Sequence, residues 1–597
     1  MKSETVAELF QERLRLSGER LAMKRKVDGK WTDITWREYG RNARHFALGL
    51  LALGLEFQET ASILGNNMPE WIYADMAIMS IGAVTVPIYQ TNTPEQVRYI
   101  LEDSEAKFAV VQNKLQLDKV LTHLGTLPRI KNIIVIEMDG VAKEGKVISF
   151  EDVIESGKAS EKRNPSVFDE RVRSVKPKDL ATIIYTSGTT GPPKGTMLTH
   201  ANIIAHARGQ CQVTPLFEDD ITVSFLPLAH VGERIIGHMS RIYVGYAAAF
   251  AESIDKLFEN LQEIRPTFWG SVPRPYEKIH SRILAQIESS SPFRKRVFNW
   301  ALKVGMEANP YGEKNKKLPL RLGLKYLIAD AMVYKKIRAL FGGRCRVLIV
   351  GAAPIALEIE QFFNALSMKM IPLYGMTETA GMITTNSERD FRIGAVGKPL
   401  PGLELKLAED GELLVKGPTT CKGYFKKPED TKALYADGWL CTGDIATIDK
   451  EGFLRIVDRK KDILITAGGK NVAPQNIENL FKGEPYISQV MVYGDRKKYL
   501  TALFALDQAE VIAHARKRGI EHKDFAELAG HPEIVSLVER IVEQKNRELA
   551  RYETIKKFVI LPHDLTQAAN EITPTMKVKR KFVANKYRDL LEKLYDE

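Results

Sequence analysis

Three glycines, four aliphatic hydroxyls and one lysine are crowded into Tyr185-Thr-Ser-Gly-Thr-Thr-Gly-Pro-Pro-Lys-Gly195. Glycines let the backbone turn its N–H groups toward an anion, hydroxyls add donors, and the lysine supplies charge. This combination suits a bound phosphate, which makes Thr186, Ser187, Gly188, Thr189, Thr190, Gly191 and Lys194 candidate contacts. It is not a Walker loop, which needs glycine directly before its lysine and Ser or Thr directly after. Here Pro193 and Gly195 flank Lys194. A flexible surface loop is the competing reading; the proline pair and the lysine close to an apolar strand weigh against it.

Further groups downstream could serve the same ligand. Gly351-Ala352-Ala353 follows the apolar run Arg346 to Val350, and small residues after a parallel strand let something flat approach the backbone. A tight strand-to-helix turn explains them equally well. In Tyr374-Gly375-Met376-Thr377-Glu378 the ring could stack a base and the threonine–glutamate pair could bind Mg²⁺ through oxygen. The alternative is a helix start capped by Thr377. Asp444, after Thr442-Gly443, could accept both hydroxyls of a ribose, or simply end a turn. Gly468-Gly469-Lys470 permits close backbone approach, as a narrow passage or as a hairpin turn. His230, after Phe225-Leu-Pro-Leu-Ala, is the kind of lone histidine that usually satisfies a core.

Positioning these groups takes a large scaffold. At 597 residues the chain exceeds one core and should divide. Up to about Leu400, helical patterns alternate with β-rich runs such as Phe108 to Val111 and Asn132 to Ile136, which indicates α/β architecture with mostly parallel sheets. From Leu403 to Val457 short strands between Gly, Pro and Asp turns suggest a small barrel or meander. Five consecutive charges, Asp458-Arg-Lys-Lys-Asp462, then separate a strand expected to end at Val457 from one starting at Ile463. Lys162 to Lys178, charged and carrying Pro165 and Pro177, reads as a loop, and Met76 to Tyr89 as a buried helix, turn and strand.

The net charge of +11 suits polyanionic ligands or an anionic membrane surface, and the spread of basic residues does not argue for nucleic acid. The four cysteines lie far apart, so a zinc site or disulfide frame is not expected and a reducing cytoplasm is. No uncharged apolar run reaches the roughly 20 residues of a spanning helix. A peripheral place on the inner membrane surface stays open, as does a homodimer.

In order along the chain, seven segments from about Leu180 to Arg580 resemble those of the adenylate-forming enzymes. Phe268 to Ile279 and Gly468 to Glu478 look most like long-chain and bubblegum-type fatty acid–CoA ligases. The resemblance implies a mostly parallel α/β N-terminal adenylation domain with a β-barrel-like subdomain (1–457), a hinge (458–462) and a mobile α+β C-terminal domain (463–597). It implies ATP, coenzyme A and a fatty acid as substrates, with Mg²⁺ as cofactor. On that resemblance the loop around Thr189 handles the β- and γ-phosphates, Gly351 to Ala353 border adenine, and Tyr374 stacks on it. Thr377 meets the α-phosphate, while Glu378 and Thr189 hold the metal. Asp444 and Arg459 bind ribose, His230 lies on the acyl side, Lys461 is the hinge, and Gly468 to Lys470 line the coenzyme A channel. Lys577, in Ile572-Thr-Pro-Thr-Met-Lys577, is implied as the catalytic lysine. It stands among Lys579, Arg580 and Lys581, and Met576 occupies a position where most relatives carry glycine; a solvated basic tail is the competing reading. The alternatives to a long-chain acid–CoA ligase are a fatty acyl-AMP ligase that loads a carrier protein, and a medium-chain or aryl-acid CoA ligase. A non-catalytic nucleotide- or lipid-binding protein stands further off.

Overall fold

Runs of apolar residues too continuous to alternate become strands covered on both faces. In the computed structural model, which describes residues 1–186, 192–388, 390–573 and 576–596, such runs build a seven-stranded sheet. Its order is Val147–Ser149, Asn132–Val135, Phe108–Val111, Thr60–Leu64, Val84–Ile88, Leu180–Thr186, Lys194–Thr199. Every neighbouring pair is parallel except the last, an antiparallel pair in which Thr186 faces Lys194. The run Met76 to Tyr89 resolves into the end of helix Pro69–Ser80, a turn and strand Val84–Ile88.

A five-stranded sheet pairs Phe268–Ser271, Val347–Val350 and Lys369–Met376 in parallel, then Gly381–Thr385 and Lys398–Pro399 antiparallel. A four-stranded sheet joins Ile221–Ser224 and Ala247–Phe250 to the N-terminal hairpin Leu21–Val27 and Lys30–Thr35. The Gly- and Asp-rich region after Leu400 forms a five-stranded antiparallel sheet containing Trp439–Ile448 and Leu454–Arg459.

Two expectations are corrected. The strand expected to stop at Val457 runs to Arg459, because Asp458 and Arg459 pair with Ile445 and Asp444. The chain turns only afterwards, where Asp462 and Ile463 donate to the Arg459 carbonyl at 2.9 and 3.1 Å. The stretch Lys162 to Lys178 is not all loop, since Val167–Ser174 is a helix. Phe168 and Val172, one helical turn apart, are buried there, and this apolar pair outweighs the surrounding charge.

Beyond residue 463 the chain builds its own core. The central strand Leu500–Leu506 is buried at every position. Leu500, Ala502, Phe504 and Leu506 join one apolar cluster, while Leu503 and Ala505 join another with Leu561 and Leu591. This is the two-residue period of a strand covered on both sides. All members of both clusters come from this small lobe.

Candidate active site

Asp444 and Arg459 face each other across the antiparallel pair Trp439–Ile448 and Leu454–Arg459. Arg459 Nε lies 3.1 Å from Asp444 Oδ1, and the Tyr374 hydroxyl donates to Oδ2 at 2.5 Å. Both carboxylate oxygens are therefore engaged, and the side chain is buried. Gly443 supplies the turn before it with φ of 71°, and its N–H donates to Glu412 Oε1 at 2.9 Å. Burial, then the neighbouring Asp444, push the Tyr374 phenol well above its ordinary range, so it stays a donor.

Tyr374, Gly375 and Met376 end the strand Lys369–Met376, and Thr377 opens a short 3-10 turn instead of capping a helix. A Cβ on Gly375 would come within 1.9 Å of the Gly381 carbonyl oxygen, so only glycine allows this close antiparallel approach. Thr377 and Glu378 follow in a single tight turn and are buried. Glu378 Oε1 accepts a hydrogen bond from the Tyr424 hydroxyl at 2.7 Å. Tyr424 also carries the Lys194 ammonium 5.3 Å from its ring centroid, and Lys194 makes an ion pair with Asp430.

Thr186 and Lys194 are cross-strand partners, so the glycine-rich loop leaves and rejoins the sheet at one place. Ser187, Gly188, Thr189, Thr190 and Gly191 lie outside the described residues. Tyr424 and Asp430 went unnoticed in the sequence. They belong to a distant segment that hydrogen-bonds along Lys194–Thr199, Met197 N to Gly423 O at 2.9 Å and Phe425 N to Gly195 O at 2.8 Å. No spacing rule signals such a pairing. Gly351 packs so closely on Leu373 that a Cβ would meet Cδ1 at 2.5 Å, and Ala352 adopts a left-handed φ of 67°.

Lys577 comes to this cluster from the small lobe. A short hairpin carries it, closed by the Ile572–Val578 bridge and by the Lys577 N–H donating to Thr573 Oγ1 at 3.0 Å. Met576 at its turn has φ of 63°, the left-handed region where glycine is favoured. Lys577 is exposed, yet it lies within electrostatic range of Arg459 and Asp444 in the large lobe and Lys482 in the small one. Partial desolvation, then repulsion from Arg459, lower its pKa to about 8; Asp444 acts in the opposite sense and Lys482 adds repulsion. Two of the neighbouring cations are engaged elsewhere. Arg580 makes a two-point pair with Glu478 at 2.7 and 2.8 Å, and Lys579 donates to Asn570.

His230 also falls within electrostatic reach of Lys577. Burial, then that ammonium, lower its pKa to about 4, so the ring is neutral. Its Nδ1 accepts from the Gly232 N–H at 3.0 Å, which leaves the proton on Nε2. Behind it the sheet and the π-helical segment Gly232–Met239 enclose polar groups that the sequence reading missed. Ser224 donates to Glu233 at 2.5 Å, and burial raises the Glu233 carboxyl to about 7.

The AMP-binding enzyme family matches residues 10–425, and its C-terminal domain matches 461–597. The chain belongs to the AMP-binding enzymes. A curated relative, long-chain-fatty-acid–CoA ligase FadD15 of Mycobacterium bovis, is 35% identical over 598 residues, covering 100% of this chain and 97% of its own. Long-chain-fatty-acid–CoA ligase ACSBG2 of Gallus gallus is 34% identical, covering 99% and 81%. Among solved structures, the adenylation domain of a Mycobacterium chelonae carboxylate reductase superposes with a TM-score of 0.76 at 22% identity, over 99% of this chain and 91% of that one. The anthranilate CoA ligase AuaEII, in complex with anthranoyl-AMP, gives 0.72 at 19% identity, over 97% and 96%. These two likenesses concern the fold.

In this AMP-binding enzyme the lobes meet through polar contacts that no motif announced. Lys482 Nζ donates to the Pro354 carbonyl at 2.9 Å, just beyond Gly351 to Ala353. Arg274 reaches Asp507 across the lobes at 3.3 Å and lies 3.7 Å from Glu277 on its own helix. The Gly468-Gly469-Lys470 turn is a hairpin tip between Leu464–Ile465 and Asn471–Val472. It is exposed, and the adjoining Ala467 N–H donates to the Lys497 carbonyl inside the small lobe. Its hydrogen bonds do not run to Asp444, Arg459 or Lys577. Lys461 is exposed in the turn between the lobes.

Proposed function

We propose that the enzyme converts a long-chain fatty acid to its coenzyme A thioester through an acyl-adenylate. The fatty-acid carboxylate attacks the α-phosphorus of ATP, forming the acyl–AMP bond and expelling pyrophosphate. The coenzyme A thiol, giving up its proton, then attacks the acyl carbonyl and AMP leaves. The observation that carries this reading is the buried Asp444 held by Arg459 and Tyr374, with Lys577 within electrostatic range of it. A fixed carboxylate beside a buried phenol suits ribose and base, and an ammonium beside them suits charge developing on phosphorus. The choice of a long acyl chain rests on relatives that share the whole length of this chain and carry that name.

In this proposal Asp444 and Arg459 hold the ribose, and Tyr374, tethered through its hydroxyl, offers its ring to adenine beside Gly351 to Ala353. Thr377 meets the α-phosphate. Thr186 to Gly191 and Lys194 take the outer phosphates, for which Lys194 must leave Asp430. Neutral His230 serves the acyl side as an Nε2–H donor and not as a base. Glu378 fits a magnesium site shared with Thr189. Its carboxylate is buried and, among the described residues, accepts a hydrogen bond from Tyr424 alone, leaving oxygen for a hard cation that phosphates would complete. When bound, that ion would neutralise phosphate charge. Lys577 withdraws no proton in the first step; it offsets charge and orients the acid against ATP. For the second step the small lobe turns about Lys461, exchanging the Lys577 hairpin for the Gly468 to Lys470 turn.

The test is AMP release measured over acids from acetate to oleate, with and without coenzyme A. We expect the rate to peak at long chains and to require coenzyme A. A peak at acetate, or acid-dependent ATP–pyrophosphate exchange with no use of coenzyme A, overturns the assignment.

A further inference from the structure

Among the described residues no helix is long and apolar enough to cross a membrane, but one helix is apolar on its outer face. Leu320–Ala329 continues into the π-helical turn Asp330–Tyr334, and the two bury Ala329 and Tyr334 against the core. The opposite face exposes Leu320, Leu324, Leu327, Ile328 and Met332, with Leu320 90% and Leu327 69% accessible. Offsets of four, seven and eight residues fall on one side of a helix. Scattered exposed leucines are ordinary; a contiguous row marks an interaction surface. The preceding helix, Pro292–Glu313, also exposes Phe293.

Charge identifies the occupant. Residues 314–338 contain eight Lys and Arg against one acid, Asp330, a net of +7 where the whole chain carries +11. Asp330 is taken by Arg338 at 2.5 Å. Lys316, Lys317, Arg321, Lys325, Lys335 and Lys336 make no ion pair among the described residues. A second copy of this chain would bring two such cationic faces together, which charge repulsion opposes. An apolar groove on another protein would cover the leucines and leave the lysines uncompensated.

We propose that this face docks on an anionic lipid membrane, its leucines entering the boundary between headgroups and acyl chains while the flanking cations meet lipid phosphates. The inference goes beyond the activation reaction, and its test does not use that reaction. The full-length protein is sedimented with vesicles of phosphatidylcholine alone or mixed with phosphatidylglycerol, at low and high salt. We expect binding to the mixed vesicles only, weakened by salt. The triple variant Leu320→Asp, Leu324→Asp, Leu327→Asp should lose at least about tenfold in partitioning. Lys335→Gln and Lys336→Gln should each lose about fivefold. All five positions are exposed, so thermal melts should match the wild type. Indifference of the wild type to phosphatidylglycerol, or undiminished binding by the triple variant, overturns the proposal. So does a lipid-free dimer that the triple variant dissolves, since the face would then belong to a protein contact.

Discussion

The Asp444–Arg459 pair and the Lys577 hairpin reach the same cleft by different means. The pair is fixed by strand register, inside a ladder that continues from Asp444 opposite Arg459 to Ile448 opposite Leu454. Lys577 is held by the isolated Ile572–Val578 bridge and by hydrogen bonds to Thr573, with a methionine in the left-handed region beside it. Its lobe has separate apolar cores and docks through Lys482, Arg274 and Asp507. Under the proposed function, the groups used in both half-reactions sit in the large lobe's sheet, and the one used in a single half-reaction is carried on the separately cored small lobe.

The sharpest way to break this contrast is Lys577→Ala. Losing a charge that acts on the phosphorus should slow acyl-adenylate formation roughly 100- to 1,000-fold. Thioester formation from supplied acyl-adenylate should stay within about threefold of wild type. Pyrophosphate release and acyl-CoA production, assayed separately, check this; equal losses would erase the distinction. Asp444→Ala strands the Arg459 and Tyr374 donors and should raise KM for ATP about 10- to 100-fold, at 1.5–3 kcal/mol for a charge-assisted contact. It should also weaken the second half-reaction, which still holds AMP.

A smaller effect comes from pH. The Lys577 ammonium is present below its lowered pKa of about 8 and is lost as pH rises through it. His230, at about 4, stays neutral across that window. The kcat/KM for adenylate formation should therefore be flat from mildly acidic pH to about 8 and then fall about tenfold per unit. The Lys577→Arg variant should lack this alkaline limb, because guanidinium keeps its charge. Smallest is Met576→Gly, which removes left-handed strain of about 1 kcal/mol at most. Melting should shift upward slightly, with adenylate formation unchanged.

The strand before the glycine-rich loop and the α/β alternation were legible because each depends on local composition. Register was not. That Asp444 faces Arg459 follows from a ladder whose strand end was read two residues short, because charges at 458 and 459 looked like a break. Nor could spacing choose among Lys577, Lys579, Arg580 and Lys581; Glu478 and Asn570 claim two of them from distant positions. Tyr424 and Asp430 were invisible for the same reason. The outward apolar row from Leu320 to Met332 carries no motif, and only the packing of Ala329 and Tyr334 shows which face stays exposed.

The most direct measurement is a structure of the enzyme with a non-hydrolysable ATP analogue and a fatty acid. The account predicts one nucleotide touching Asp444, Arg459 and the loop ending at Lys194, with Lys577 Nζ within about 3.2 Å of an α-phosphate oxygen. A nucleotide held by the large lobe alone, with Lys577 out of its reach in every lobe orientation that retains the acid, would contradict it.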